Sequence, residues 1–443
     1  AAALAALLAL AVLAALAALI ARMPWLIAPL VLLALPFRVP IQAGGATANL
    51  LVPLYLVVGA GVLAFAVPDL RGRGRRAEAE AGRARFSPPL VSWGERLLAL
   101  YVGLYAIQSL YSPDFEKALQ QMVFFYVPFA LFFCLLRRLR WTGELLRRCL
   151  ILVGVLAVLF ACVGFVEYAT KTLFLNPKLV AANGVHTYFT VNSVFFDPDI
   201  FGRFLALVMI SLAAALLYSR RRSEQLALTV VLGILWAGLV LTLSRSSLAA
   251  LLLGLLILGA MRWRAKPIVL TGVAVVIIGI AALAISPKTF GLNQGLNGAS
   301  SGRAGLASGG LTLFGREPIW GNGSGSFVTR YRGLHPGTSQ TLAASHTIAI
   351  TIAAEQGIVG EIPYLALVIL AAFVLVRGAR GDPARAAVAA AFIALVLHTE
   401  LYADFLEDPA TWALLGIGMA LATAASPERR PPARPRRPEA VAA

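Results

Sequence analysis

Apolar and polar positions along this chain change over in long blocks rather than with a short period. A bilayer crossing takes about 20 apolar residues as a helix, and runs approaching that length recur from one end of the sequence to the other. They are Ala2–Ala21, Trp25–Pro36, Leu50–Val67, Leu97–Leu110, Ala118–Leu136, Leu150–Tyr168, Ile200–Tyr218, Leu226–Leu243, Leu248–Met261, Ile268–Ile285, Ile348–Val376, Ala386–Tyr402 and Trp412–Ala425. The second is short and bracketed by Pro24 and Pro36, so the pattern predicts about 12 or 13 spans. Ile348–Val376 contains Gly357, Gly360 and Pro363, which predicts a kink or break inside it. The first run has no basic segment ahead of it and reads as a membrane helix, not a signal peptide. The sequence opens at Ala1 without Met, consistent with a missing leader or tag.

One polar interruption stands apart. From Ser286 to His346 the chain runs through glycine-rich turns and an arginine in SGRAGLASGG, then closes with SHTIAITIAAEQGIVG, so that His346 sits where the chain re-enters the apolar pattern. Loops of this length inside a compact fold are usually functional or disordered. The expectation is an all-α polytopic integral membrane protein of about 12 helices. Residues 1–426 form one transmembrane domain, 286–345 make a long extracytoplasmic loop contributing to an active site, and 427–443 form a disordered cytoplasmic tail.

Composition agrees. The chain is 59% apolar and 13% charged, with a mean hydropathy of +0.81, against roughly a quarter charged residues in a soluble domain. A net charge of +17 would point a soluble protein toward nucleic acid. Here the basic residues gather in short connections, which is the positive-inside pattern and implies no nucleic-acid partner. Segments 71–85, 137–148, 220–222, 262–266, 377–385 and 429–437 are basic, whereas 43–48, 112–116 and 404–408 are poor in Lys and Arg. Placing the basic set in the cytoplasm turns 170–199, the 243–246 turn, 286–345 and 404–408 outward. The Pro/Arg-rich tail would lie against anionic headgroups, making membrane lipids a partner. Cys134, Cys149 and Cys162 have no metal-ligand spacing and read as small apolar residues. No internal repeat suggests a transporter's halves.

Charges at membrane depth are functional candidates, and this topology brings several to one side. Arg203 follows FFDPDIFG, with Asp197 and Asp199 beside it. Arg245 lies in LTLSRSSLAAL at a tight turn, Arg303 in the long loop, and His346 ends that loop. Each has an ordinary structural account too. Arg203 can snorkel, a loop arginine such as Arg303 is commonplace, and His346 can be a helix-start histidine beside a Ser345 cap. Convergence of four residues remote in sequence outweighs any one of them. Glu355, His398 and Asp199 are candidates for supporting positions, with Glu355 expected to orient a neighbour or pair with a buried arginine. Lys178 and His186 lie in the 170–199 connection without specific support. GREPIWGNGSGSF follows no strand and precedes no Lys-Ser/Thr pair, so it is a loop and not a nucleotide cradle. Neither a metal site nor a serine nucleophile elbow is legible.

Guanidinium groups are planar, permanent donors to phosphate oxygens, and a histidine of near-neutral pKa can take a proton from a hydroxyl. Together they suit attack by a sugar hydroxyl on a glycan linked to lipid pyrophosphate, with no cofactor. At this point the sequence resembles the O-antigen ligase / O-antigen polymerase superfamily of bacterial envelope enzymes. The resemblance rests on LTLSRSSLAALLLG around Arg245, SGRAGL…PIWGNGSGSF around Arg303, SHTIAITIAAEQGIVGEIPYL around His346, and NSVFFDPDIFGRFLAL at the entry to a helix. It covers about Asn192 to Leu365; the N-terminal third matches only in hydropathy. Thr347 stands where Asn commonly follows the His, and Asp199 stands where Asn is usual.

The resemblance implies a metal-independent, inverting transfer from undecaprenyl pyrophosphate in the bacterial inner membrane, with the site facing the periplasm. His346 would activate the acceptor, Arg245 and Arg303 would bind pyrophosphate, and Arg203 would assist. The acceptor would be lipid-, glycan- or protein-linked. A ligase and a polymerase share these motifs. Outside the class, a lipid-linked-oligosaccharide flippase predicts polar residues through the membrane depth. A peptidoglycan glycosyltransferase of the shape-and-division type predicts an acidic, metal-dependent outer loop, but Glu317 is the only carboxylate in 286–345.

Overall fold

The computed structural model describes residues 2–43, 46–70, 88–173, 188–263, 302–336 and 345–424, with isolated positions at 180, 183 and between 266 and 277. Lys178, His186, most of the Ile268–Ile285 run and the 427–443 tail lie outside the described residues. The chain is a helical, multi-pass membrane protein. Its helices are α1 (Ala2–Arg22), α2 (Ile27–Ala34), α3 (Val52–Leu70), α4 (Pro89–Ser109), α5 (Phe115–Arg138), α6 (Gly143–Thr170), α7 (Pro198–Tyr218) and α8 (Arg222–Leu241). They continue with α9 (Arg245–Arg262), α10 (Arg303–Arg316), α11 (Phe327–Leu334), α12 (Ile348–Val376), α13 (Pro383–Tyr402) and α14 (Pro409–Ala424). Among the described residues, eight helices, α4 to α9 with α12 and α13, are long and apolar enough to cross a membrane. Four shorter apolar stretches, Leu7–Arg22, Pro24–Ala34, Val52–Phe65 and Pro409–Ala424, accompany them. One antiparallel hairpin pairs Val39–Ala43 with Ala46–Leu50, in the register Val39↔Leu50.

The centre of the bundle is α7, α9 and α13. In α7 and α13, 61% and 56% of the membrane window is buried, against 17% in the peripheral α8. Small residues let these helices approach: Ala386, Ala389, Ala390, Ala391 and Ala394 of α13 are all buried, and a Cβ on Gly254 of α9 would lie 2.3 Å from Ile210 of α7. Without a hydrophobic drive between helices in lipid, such backbone approach is what holds them together.

Two sequence expectations change and a third is met. First, α4 starts earlier than the apolar run at Leu97 and takes in Glu95 and Arg96. Arg137 of α5 pairs with Glu95 at 2.7 Å, so the charge that interrupts the hydropathy pattern is neutralised inside the bundle. Second, the segment after Gly302 is not a run of glycine turns but the helix α10, followed by α11. Its Leu306 and Leu313 are buried, and Gly309 and Gly310 allow close approach; a Cβ there would meet Tyr331 at 2.2 Å and Ile350 at 2.5 Å. Third, the break in α12 falls at Gly357 (φ 61°, ψ −164°). A Cβ at Gly357 would come within 2.4 Å of the Ile319 carbonyl, so the helix opens there to seat the 319–323 backbone.

Candidate functional site

Asp197 caps α7 by accepting from the Asp199 amide at 2.7 Å, with Pro198 in the first turn. One turn further, Arg203 is buried, and its Nε lies 2.8 Å from Asp408 Oδ2. The sequence had placed Arg203 in a cluster with Asp197 and Asp199; its ion-pair partner is instead the carboxylate between α13 and α14. Two buried charges at this distance hold each other out of water at the cost of their hydration.

Ser244 caps α9 by accepting from the Ser247 amide at 3.2 Å, and Leu243 before it is left-handed at φ 54°. The three serines of this turn tie it to α7 and α13. Ser244 donates to Asp199, Ser246 donates to the same carboxylate at 3.1 Å, and Ser247 donates to the Asp199 carbonyl at 3.3 Å. Ser246 and Ser247 each lie 3.2 Å from Nε2 of the fully buried His398. Because both hydroxyl protons go to Asp199, the histidine nitrogen is the donor to the serines. Gly202 makes this approach possible, since a Cβ there would sit 2.7 Å from Ser247 Oγ. Arg245 occupies the first position of α9, exposed, in no ion pair among the described residues.

Arg303 opens α10 after Gly302 at φ 86°, a left-handed position that favours glycine. Its Nη1 donates to the Leu401 carbonyl at 2.8 Å, and Nη2 lies 4.0 Å from Asp199. His346 is half-buried in a left-handed conformation (φ 62°) between Ser345, whose Oγ accepts from the Thr347 amide at 3.2 Å, and the start of α12. Its ring centroid lies 6.3 Å from that of Tyr402. Burial first, and then the Arg303 charge, push the imidazole below its ordinary pKa, against smaller upward effects from Asp199 and the Tyr402 backbone.

His346, Arg303, Arg203, Asp199 and His398 therefore meet at one end of the bundle, with Arg245 joined to them through Ser244 and Ser246. Glu355 does not meet them. Its carboxylate accepts from the Gly325 and Phe327 amides at 2.8 and 2.9 Å, so its partners are backbone amides of GNGSGSF and not an arginine. Sequence reasoning missed Tyr402, Asp408 as the partner of Arg203, and the serine ties. Only the density of hydroxyls in LSRSS hinted at the last. Among the described residues, no group of three or more His, Cys, Asp or Glu is disposed to hold a metal ion.

Residues 230–365 match the family model described as O-antigen ligase. Over that stretch the chain is similar to the O-antigen ligase family. No curated protein matches it. The matched stretch takes in Arg245, Arg303, His346 and Glu355, whereas Asp199, Arg203, His398 and Tyr402 lie outside it.

Proposed function

We propose that the chain transfers a glycan from undecaprenyl pyrophosphate to an acceptor hydroxyl, at a site facing the outside of the cytoplasmic membrane. The observation that carries this reading is the convergence of one histidine of lowered pKa with cations at one end of the bundle, among them Arg245, which has no counter-ion among the described residues. The acceptor oxygen bonds to the anomeric carbon as the bond from that carbon to the phosphate oxygen breaks. The bonding pair leaves on the pyrophosphate, and the hydroxyl proton passes to His346. Attack opposite to departure inverts the anomeric centre.

A neutral imidazole is needed for that proton, and burial beside Arg303 keeps His346 neutral further down the pH scale. Arg245, exposed and unpaired, suits the pyrophosphate directly. Arg303 carries part of the load while anchored to the Leu401 carbonyl. Arg203, already paired with Asp408, acts from beneath by fixing the 404–408 connection. The basic ends of α5, α9 and α12 lie away from these residues in sequence and support an outward-facing site. The four shorter apolar helices would bring the spans to about 12.

The test follows release of undecaprenyl pyrophosphate by purified protein in detergent, with an undecaprenyl-pyrophosphate-linked oligosaccharide, envelope acceptors and chelator. Release is expected to survive chelation and to fall by at least about 100-fold in His346→Ala and Arg245→Ala. Variants that release carrier as fast as wild type would overturn the assignment. The size of the product separates transfer to a foreign acceptor from extension on the carrier.

A further inference from the structure

Tyr402 stands beside three charged or titratable residues of this site. Its ring centroid lies 6.3 Å from that of His346 and 5.7 Å from that of His398, and the Arg203 guanidinium carbon lies 5.9 Å from it. The Asp197 carboxyl, the cap of α7, neighbours it. The carbonyl one residue earlier, on Leu401, takes the Arg303 guanidinium at 2.8 Å.

The local backbone explains the last contact. The final carbonyls of a helix have no partner within it and form the negative end of its dipole. After Tyr402 the chain turns left-handed at Ala403 (φ 75°) and Asp404 (φ 69°), ending α13 abruptly and leaving these oxygens to outside donors. Arg303 takes the one on Leu401.

We propose that Tyr402 is a positioning residue of the transfer reaction. Its ring packs beside the His346 imidazole and holds it at a fixed depth, so that the last turn of α13 sets base and Arg303 as one unit. The proposal rests on His346 being the base. The charged and titratable groups facing His346 are Arg303 from α10, Asp199 from α7 and the Tyr402 backbone from α13. Behind the tyrosine stand Asp197 and Arg203 from α7 and His398 from α13. Removing the ring opens one side of the imidazole to water and leaves those charges in place.

The experiment uses full-length protein in detergent and two readouts across pH: carrier release, and acylation of His346 by diethyl pyrocarbonate followed by mass spectrometry. Tyr402→Phe keeps the ring and is expected to keep the wild-type acylation midpoint, with release within about threefold. Tyr402→Ala is expected to raise the midpoint by about half a unit to one unit toward the ordinary histidine value. Its kcat should fall by about 10- to 100-fold, with the donor KM little changed. Tyr402→Leu, which retains apolar volume, should show the same direction of shift if the alanine variant does not fold. Lower release with an unmoved midpoint in Tyr402→Ala, while His346→Ala is inactive, would leave His346 as base and overturn the positioning role alone. Wild-type release by His346→Ala would remove the base and the proposal together.

Discussion

At the residue scale, the three arginines differ in what they are committed to, and the differences are measurable. Arg203 is 4% exposed and paired with Asp408. Arg203→Ala strands that carboxylate and should lower stability by about 3–5 kcal/mol. Arg245→Ala, at an exposed position without an ion pair, should leave the melting temperature within about 2 °C while abolishing turnover. Thermal unfolding in detergent beside carrier release reads both. For His346 the sign is set by its causes: burial and Arg303 lower its pKa, so the basic form persists to lower pH. Release should therefore rise with pH through a limb below the ordinary value near 6.5 and be flat above it. Arg303→Gln removes the second cause and should move the limb upward, toward the ordinary histidine value. Much of this was legible in the sequence, because an arginine between two serines in an apolar run, or a histidine at the end of a loop, has few ordinary reasons to be there. Which acid pairs with Arg203 was not legible, since Asp197, Asp199 and Asp408 are equally plausible partners until α14 is folded back.

At the element scale, close backbone approach decides the site. The Ser244–Ser247 turn reaches α7 only because Gly202 has no side chain: a Cβ there would lie 2.7 Å from Ser247 Oγ and 3.1 Å from Ser244 Cβ. Gly202→Ala should push the turn and α7 apart, cost about 1–3 kcal/mol of stability, and lower release without touching any proposed ligand. A denaturation curve and the release assay on one preparation check it. The membrane helices were legible from hydropathy, and so was the break in α12. The helix α10 was not, because its glycines read as turn formers. Their use becomes visible only when Tyr331 and Ile350 are seen lying against them. Glu355 shows the same limit. Its spacing from His346 suggested a role beside the base, and what it does is hold two amides of a glycine loop.

At the scale of the whole molecule, the connections at 197–203, 243–247, 302–303, 345–347 and 401–408 gather at one end, as the distribution of arginines predicted, although the sequence could not give their order around the bundle. With Cys134, Cys149 and Cys162 replaced, a single cysteine introduced at Ala410 should react with a membrane-impermeant maleimide added to intact spheroplasts, and one at Gly381 only after lysis. The reverse pattern would invert the proposed topology. The hydrogen bond at the end of α13 also bears on how the protein is made. The acceptor on Leu401 is synthesised some hundred residues after Arg303. Once residue 365 is made, the nascent chain therefore carries the whole family-matched stretch while still without the carbonyl that anchors Arg303. On the proposed function, a ribosome that stalls before α13 is expected to leave behind an inert product, with activity expected only as the last two helices enter the bilayer.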